Sequence, residues 1–277
     1  MKRGLRTRGF TVVEVTIVLT VTSVLLISAL LLFSGKQQDV QFNQAINDIQ
    51  SQVNQVINNV QTGYYSKTTS SDFSCTATIS GPNIDTSGTS EQGTNRGCIF
   101  IGRAIHFTDT PSTKVYNLVG LRNKWGSADN VTNLLDAQPS VMPGGNIEDR
   151  TLQAGLHPTK MFYSIDNSPP SIPTGVVAFV SNFGQATAGG STTAKIYAIA
   201  NTSLNPAIDP VPEIDKDIPT IAVNYISSTT NVTICFDGGT RLLGVLTIGS
   251  NNRQLTTKLD FINKNPLPPG PLGVACT

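Results

Sequence analysis

The sequence predicts an α+β protein in which a long N-terminal helical spine packs on a β-rich globular domain, either an antiparallel sheet or a sandwich. Residues 10–33 form an apolar run, and a heptad-like spacing of apolar residues continues to residue 60. After residue 63, short alternating runs are separated by Gly, Pro, Asn and Ser. The predicted boundaries are a leader at 1–9, a transmembrane helix at 10–35, an amphipathic helix at 36–62 and a head at 63–277.

Composition and charge favour an exported β-rich head. Charged residues make up 13% of the 277 residues, whereas Gly, Pro, Ser, Thr and Asn are abundant. The leader, MKRGLRTRG, contains Lys2, Arg3, Arg6 and Arg8 and no acidic residue. The whole chain has a formal net charge of +1, so that removal of the leader leaves −3. By global charge, the mature protein is therefore not a basic nucleic-acid binder.

The apolar run is long enough to cross a membrane. Residues 10–33 span roughly 36 Å as a helix, against a hydrocarbon core of about 30 Å. The basic leader predicts that the N-terminus stays in the cytoplasm and the head is exported. A cleavable secretory signal is an alternative, but Phe33 stands where a cut after Gly35 needs a small residue. A plain signal anchor fits the length but leaves Glu14 unexplained, since an intramembrane carboxylate costs about 2.5–3.5 kcal/mol.

The junction of leader and apolar run resembles the processing site of type IV prepilins and pseudopilins. The resemblance is carried by residues 8–15, which read RGFTVVEV. It implies that a membrane aspartyl peptidase cuts after Gly9 and that the new N-terminal residue, Phe10, is N-methylated. It also implies that Glu14 directs methylation and assembly. In a helix bundle, the Glu14 carboxylate is expected to pair with the α-amine of a neighbouring subunit.

The resemblance implies a structural role as a subunit of a type IV pilus-like filament. A minor pilin is favoured, because a bulky head is harder to repeat at every helical step. The expected partners are other pilin subunits, the prepilin peptidase, the assembly platform and, before assembly, the cytoplasmic membrane. The expected final location is the cell surface or pilus. The alternatives are a pseudopilin of a type II secretion or DNA-uptake system, and a signal-anchored surface binding domain that never assembles.

The amphipathic half of the spine is predicted from apolar spacing. Six residues step by four, three, four, three and four, and Gly63 is expected to end the helix. This narrow face can pack on a sheet, and a short dimeric coiled coil is the alternative. The six residues are Phe42, Ile46, Ile49, Val53, Val56 and Val60.

The head is predicted to consist of strands, apart from a helical turn near 130–137. Residues 138–158 and 203–219 are predicted to be loops, because they contain Pro or Gly and lack alternation. The predicted strands are 73–80, 97–107, 113–121, 159–166, 175–182, 194–200, 220–227, 231–237, 241–249 and 254–262.

Four cysteines, Cys75, Cys98, Cys235 and Cys276, favour disulfides formed outside the cytoplasm. Three pairings are possible, and free buried thiols are the alternative. We favour Cys75–Cys98 and Cys235–Cys276, because each joins neighbouring segments, and expect about 3–4 kcal/mol from each. Residues 235–249 also resemble the C-terminal hairpin of minor pilins and pseudopilins, which agrees with the second pairing.

The sequence predicts no enzyme activity, cofactor or metal site, and no clear nucleic-acid or small-molecule partner. His106 and His157 lie far apart without a nucleophile motif, and His106 is expected on a strand surface. The acidic segment 209–217 has calcium-type ligands but lacks EF-hand spacing, which favours a solvated loop. Arg122, Lys124 and Trp125 combine basic and aromatic groups, but a packed Trp with solvated neighbours is favoured over a single-stranded DNA site.

Overall fold

The structure is a computed structural model, and one long helix, α1 (Val12–Thr62), dominates its N-terminal part. At about 1.5 Å per residue, its 51 residues extend roughly 76 Å. The described residues are 11–64, 74–85, 97–107, 110–142, 148–163, 171–172, 175–181, 194–199, 227–228, 231–251, 254–264 and 276.

The C-terminal end of α1 lies where the sequence predicts it. Gly63 adopts a left-handed conformation with φ 67°, which a glycine adopts without a Cβ clash. The Gly63 N–H donates to the Val60 carbonyl at 3.2 Å, and the Tyr64 N–H donates to the Asn59 carbonyl at 2.8 Å. This pair of hydrogen bonds satisfies the last carbonyls of the helix in a Schellman arrangement.

The β-rich domain contains two large sheets and one hairpin, and its described strand pairings are all antiparallel. The hairpin consists of β1 (Ser74–Thr78) and β2 (Gly81–Asp85). The seven-stranded sheet contains β3 (Cys98–Phe107), β4 (Ser112–Leu121), β5 (Ser140–Val141), β6 (Glu148–Thr151), β9 (Gly175–Ser181), β10 (Ala194–Ile199) and β11 (Ser227–Ser228). The five-stranded sheet contains β7 (His157–Tyr163), β8 (Ser171–Ile172), β12 (Asn231–Asp237), β13 (Leu242–Asn251) and β14 (Gln254–Asn263).

The order of the strands within each sheet differs from their order in the chain. The seven-stranded sheet has the order β11–β10–β9–β3–β4–β5, and β6 also pairs with β4. The five-stranded sheet has the order β14–β13–β12–β7–β8. A short helix, α2 (Leu134–Ala137), follows β4 and confirms the predicted helical turn.

Most predicted strands are confirmed to within two or three residues, with two corrections. The predicted strand 73–80 is a shorter β1 that turns at residues 79–80 into β2, which the sequence analysis missed. The predicted loop 138–158 contains β5, β6 and the first residues of β7. Residues 164–166 and 220–226, predicted as strand, and the predicted loop 203–219 lie outside the described residues.

The second half of α1 completes the main core. The six predicted seam residues are each at most 3% exposed, and they share one apolar cluster with strands of both sheets. The rings of Phe107 on β3 and Phe236 on β12 meet edge to face at 6.0 Å, which joins the two sheets directly. Burial of an aliphatic or aromatic side chain stabilises by about 1.5–3 kcal/mol. The chain's own sheets therefore cover the seam, and the coiled-coil alternative is wrong.

The other face of each sheet is also covered. On the seven-stranded sheet, Tyr116, Leu118 and Val180 form a second apolar cluster together with Leu134 of α2. On the five-stranded sheet, Val245 and Ile262 form a third cluster together with both half-cystines of the Cys235–Cys276 disulfide. Both sheets are thus buried on two sides over part of their area.

Candidate processing and assembly site

The N-terminal end of α1 is capped by two side chains of the prepilin-like motif. The Thr11 N–H donates to the Glu14 carboxylate at 2.9 Å, and the Glu14 N–H donates to the Thr11 hydroxyl oxygen at 3.3 Å. The Thr11 hydroxyl also donates to the same carboxylate at 3.0 Å. This is a capping box, which satisfies backbone donors that the helix leaves free. Gly9 and Phe10, the predicted scissile pair, lie outside the described residues.

Glu14 therefore has a local partner that the sequence analysis missed. Its carboxylate lies near the positive end of the helix dipole and accepts hydrogen bonds from the Thr11 N–H and hydroxyl groups. These contacts reduce the cost of placing a carboxylate in an apolar segment. Both residues follow the predicted cut after Gly9, so cleavage would leave the capping box in place.

The first half of α1 is apolar on every side, and the other residues that the structure describes do not cover it. Its large apolar side chains between Val12 and Leu30 are 47% to 81% exposed. The segment Val12–Leu30 has 19 residues with a mean hydropathy of 2.2, and its length and composition suit a membrane span or a signal. A helix that is apolar all round needs an apolar environment on all sides.

Hydroxyl groups within this segment are satisfied by the helix itself. Each donates to a carbonyl three or four residues earlier, at distances such as 2.8 Å from Thr20 to Ile17 and 2.7 Å from Ser23 to Leu19. Such back-bonding leaves no hydroxyl donor free in a non-aqueous environment. The hydroxyl residues bonded in this way are Thr16, Thr20, Thr22, Ser23 and Ser28.

The contact between the helix and the head begins at residues 39–46. Asp39 forms an ion pair with Arg241 at 2.7 Å, just after the turn that joins β12 to β13. Phe42 packs edge to face on Phe261, with ring centroids 6.3 Å apart. A Cβ built on Gly238 would lie 2.6 Å from the Phe42 ring, so that this turn can approach the helix only with glycine.

The disulfides are Cys75–Cys98 and Cys235–Cys276, the pairing that the sequence analysis favours. The first joins β1 to β3, and the second fixes the chain near its C-terminus on β12. The described residues include no free cysteine. Two disulfides together with an apolar N-terminal helix are typical of a protein that is held in or exported across a membrane into an oxidising compartment.

The two histidines lie on strands of different sheets. His106 is buried at 6% exposure on β3, so the prediction of a strand-surface position is wrong; it fails because both faces of this sheet are covered. His157 begins β7 in the other sheet. Among the described residues, no group of three His, Cys, Asp or Glu side chains suits a metal ion. The acidic segment 209–217 lies outside the described residues.

Two further residues differ in burial from what the sequence suggests. Trp125 is 51% exposed, so the prediction of a packed Trp is wrong. Arg103 is only 1% exposed and forms an ion pair with Glu148 of β6. Sequence alternation alone does not predict a buried arginine, although the polar residue in an otherwise apolar strand is a signal that a partner is required.

No protein-family model, curated protein or solved structure matches this chain. The resemblance to prepilins is accordingly carried by residues 8–15 and, more weakly, by the hairpin at 235–249.

Proposed function

We propose that this protein is a minor pilin, a subunit of a type IV pilus-like filament that assembles through its N-terminal helix. One observation carries the proposal: α1 is continuous, yet its first half is exposed and apolar all round, while one face of its second half is buried against the head. The described part of the chain does not cover the exposed half, and a cover from outside the chain would complete its apolar environment. Lipid provides that cover before assembly, and the equivalent helices of other subunits provide it afterwards.

The processing motif supports this order of events. The prepilin peptidase removes the basic leader after Gly9, and Phe10 becomes the methylated N-terminus. The new positive charge stands one residue ahead of Thr11 and four residues ahead of Glu14 in the sequence. In the filament, Glu14 pairs with the α-amine of a neighbouring subunit, and this pairing sets the axial register between helices.

The size and composition of the head support a low-copy position over the main shaft of the filament. The head extends from residue 63 to residue 277 and contains two sheets stabilised by disulfides. The protein is held in the cytoplasmic membrane as a single-pass precursor with the head outside, and is then displayed at the cell surface through the assembly platform. The role is structural, and the proposal includes no enzymatic step.

Mass spectrometry of the N-terminus tests the proposal in a host that contains the matching peptidase. We expect a mature chain that begins with methylated Phe10. An intact Met1 in that host contradicts the proposal and favours a signal-anchored surface domain. Cleavage after the apolar run instead identifies an ordinary secretory signal.

A second experiment separates the assembly role of Glu14 from its role in the capping box. Loss of one partner of a buried ion pair costs about 3–5 kcal/mol, whereas loss of an N-cap side chain costs about 0.5–2 kcal/mol. We therefore expect Glu14→Gln to enter sheared filaments far less than wild type, and Thr11→Ala to enter them nearly normally. Equal loss in the two variants would show that capping alone explains Glu14.

A further inference from the structure

The loop between β4 and α2 is held in one conformation by its own backbone. The Arg122 N–H donates to the Gly97 carbonyl, and the Val131 N–H donates to the Arg122 carbonyl, each at 3.0 Å. Within the loop, the Lys124 N–H donates to the Asp129 carbonyl at 2.9 Å. The base of the loop is anchored by a small apolar cluster of Leu121, Val131 and Ala137. Such a loop presents its side chains without a large loss of conformational entropy on binding.

Trp125 stands at the tip of this loop. The Ser127 N–H donates to the Lys124 carbonyl at 3.0 Å, which closes a β-turn with Trp125 and Gly126 as its central residues. Gly126 has φ 73°, the positive value that the third position of a type II turn requires. The turn therefore fixes the backbone of the Trp, whose side chain is 51% exposed. A half-exposed Trp gives up much of the stabilisation that its burial would supply, which indicates a role outside the core.

The loop and the adjoining helix α2 carry both charged and apolar side chains. The Lys124 ammonium and the Asp136 carboxylate form an ion pair at 3.1 Å, which holds the loop against α2. On α2, Leu135 is 56% exposed. Ser127 and Asp129 are exposed on the loop itself and supply hydroxyl and carboxylate groups.

Charge decides which class of ligand suits this surface. The cations Arg122 and Lys124 are balanced by the anions Asp129 and Asp136, which leaves no net charge. A polyanion such as single-stranded DNA binds largely through uncompensated Lys and Arg, so this surface suits it poorly. A neutral ligand that has an apolar face and many hydroxyl groups fits better. Its face can stack on the indole while its hydroxyls donate to carboxylates and accept from cationic side chains.

We propose that the loop 122–131 is a binding site for a neutral oligosaccharide, with one sugar ring stacked on Trp125. Arg122, Lys124, Asp129 and Asp136 supply hydrogen bonds around that ring. The site lies on the β-rich domain and does not depend on cleavage after Gly9 or on filament assembly. It can therefore fail while the proposed filament role holds, and the reverse is equally true.

Intrinsic fluorescence tests the site directly, because Trp125 is the one tryptophan of the chain. The full-length protein is kept in a phosphocholine detergent, since glycosidic detergents would compete for the site. It is first applied to an array of neutral gluco-, galacto-, manno- and N-acetylglucosamine oligosaccharides, and each hit is then titrated while Trp emission is followed. We expect at least one neutral oligosaccharide to change the emission saturably, with an affinity that varies little with salt.

Variants show whether the ring itself binds. We expect Trp125→Ala to weaken array binding by about tenfold or more, and Trp125→Phe to retain part of it. Tyr64→Ala, which removes another exposed aromatic ring at the end of α1, serves as the matched control and should bind as wild type. Equal binding by Trp125→Ala and wild type would place the site elsewhere and overturn the proposal.

Two other outcomes also overturn it. One is an array with no neutral hit. The other is a saturable emission change with the oligonucleotide dT10 alone, lost at high salt, which would identify a nucleic-acid site. Far-UV circular dichroism of each variant confirms that the head is folded before binding is compared.

Discussion

The two halves of α1 share one unbroken helix but bury their side chains in different ways. Between Val12 and Leu30 the large apolar residues surround the helix and are exposed, whereas from Phe42 to Val60 they form a seam that is nearly inaccessible to solvent. The seam is narrow enough for two sheets of the same chain to cover. An all-round apolar surface cannot be covered from one side, so the first half needs an apolar environment on all sides.

The two halves of the helix are stabilised by different surroundings. Intrinsic propensity contributes little to a helix of either kind in water, and packing of the apolar face contributes most. The second half is therefore thermodynamically part of the head. The first half is expected to form independently of the head in a detergent micelle or bilayer.

The largest expected difference between the halves comes from truncating one side chain in each. Phe42→Ala removes a fully buried ring and should lower the free energy of unfolding of the head by about 3–5 kcal/mol. Leu25→Ala removes an exposed side chain and should leave it unchanged within about 0.5 kcal/mol. Urea unfolding in detergent, followed by circular dichroism, measures both. Similar losses in the two variants would show that the halves are not energetically distinct.

A smaller effect should arise where β13 lies against the seam. A Cβ on Gly244 would lie 2.5 Å from the Ile46 Cδ1 atom, so Gly244→Ala should overpack the contact and cost about 1–3 kcal/mol. Ile46→Val alone should cost about 0.5–1.5 kcal/mol, and it also removes the clashing atom. The double variant should therefore be more stable than the sum of the two single changes predicts. Simple additivity, measured by urea unfolding, would mean that helix and strand do not meet as described.

Acid should destabilise the head, on which the second half of α1 packs, through protonation of Asp237 on β12. Burial raises the pKa of Asp237, but hydrogen bonds from Lys264 at 2.8 Å and from the Gly239 N–H at 2.7 Å outweigh it, so the net pKa is lowered. A lowered carboxyl pKa gives stability that is present above the unfolded pKa of about 3.9 and is lost as the pH falls through the folded pKa.

The measurement is the thermal midpoint of the head from pH 6 down to about pH 2, with Asp237→Asn as control. We expect the variant to show a weaker loss of stability below about pH 4 than wild type. Identical acid profiles would show that this carboxylate does not contribute. The helical signal of the first half in detergent should persist through this transition.

The smallest effect is expected from the ion pair at the junction of helix and head. Arg241 is 72% exposed and its partner Asp39 is 19% exposed, and exposed pairs contribute about 0.2–1 kcal/mol. A double-mutant cycle of Asp39→Asn and Arg241→Gln should give a coupling energy in this range, reduced at high salt. A larger, salt-insensitive coupling would make this pair a principal attachment of the helix.

Much of the architecture follows from local sequence signals. The steps from Phe42 to Val60 predict the buried seam, and Gly63 predicts the end of the helix because its left-handed conformation suits glycine. The favoured disulfides are also correct. By contrast, β6 was missed because its sequence, EDRT, contains no apolar residue. This strand is held by pairing with β4 and by the contact of Glu148 with Arg103.

The candidate sites also differ in whether the sequence alone reveals them. The motif at residues 8–15 is contiguous, so the sequence displays it fully, and it predicts Gly9, Phe10 and Glu14 as processing and assembly residues. The capping contact between Thr11 and Glu14 also spans only three positions. The loop around Trp125 required the structure, because exposure depends on what the rest of the chain covers.

By itself, the sequence determined the spine, its two unlike halves, the end of the helix and the β-rich character of the head. These features arise from spacing over a few residues, which the backbone converts directly into faces and turns. The tertiary structure alone decided that the seam lies against two sheets, that His106 and Arg103 are buried and that Trp125 is exposed. These outcomes depend on strands far apart in the chain, whose order and pairing no local pattern specifies.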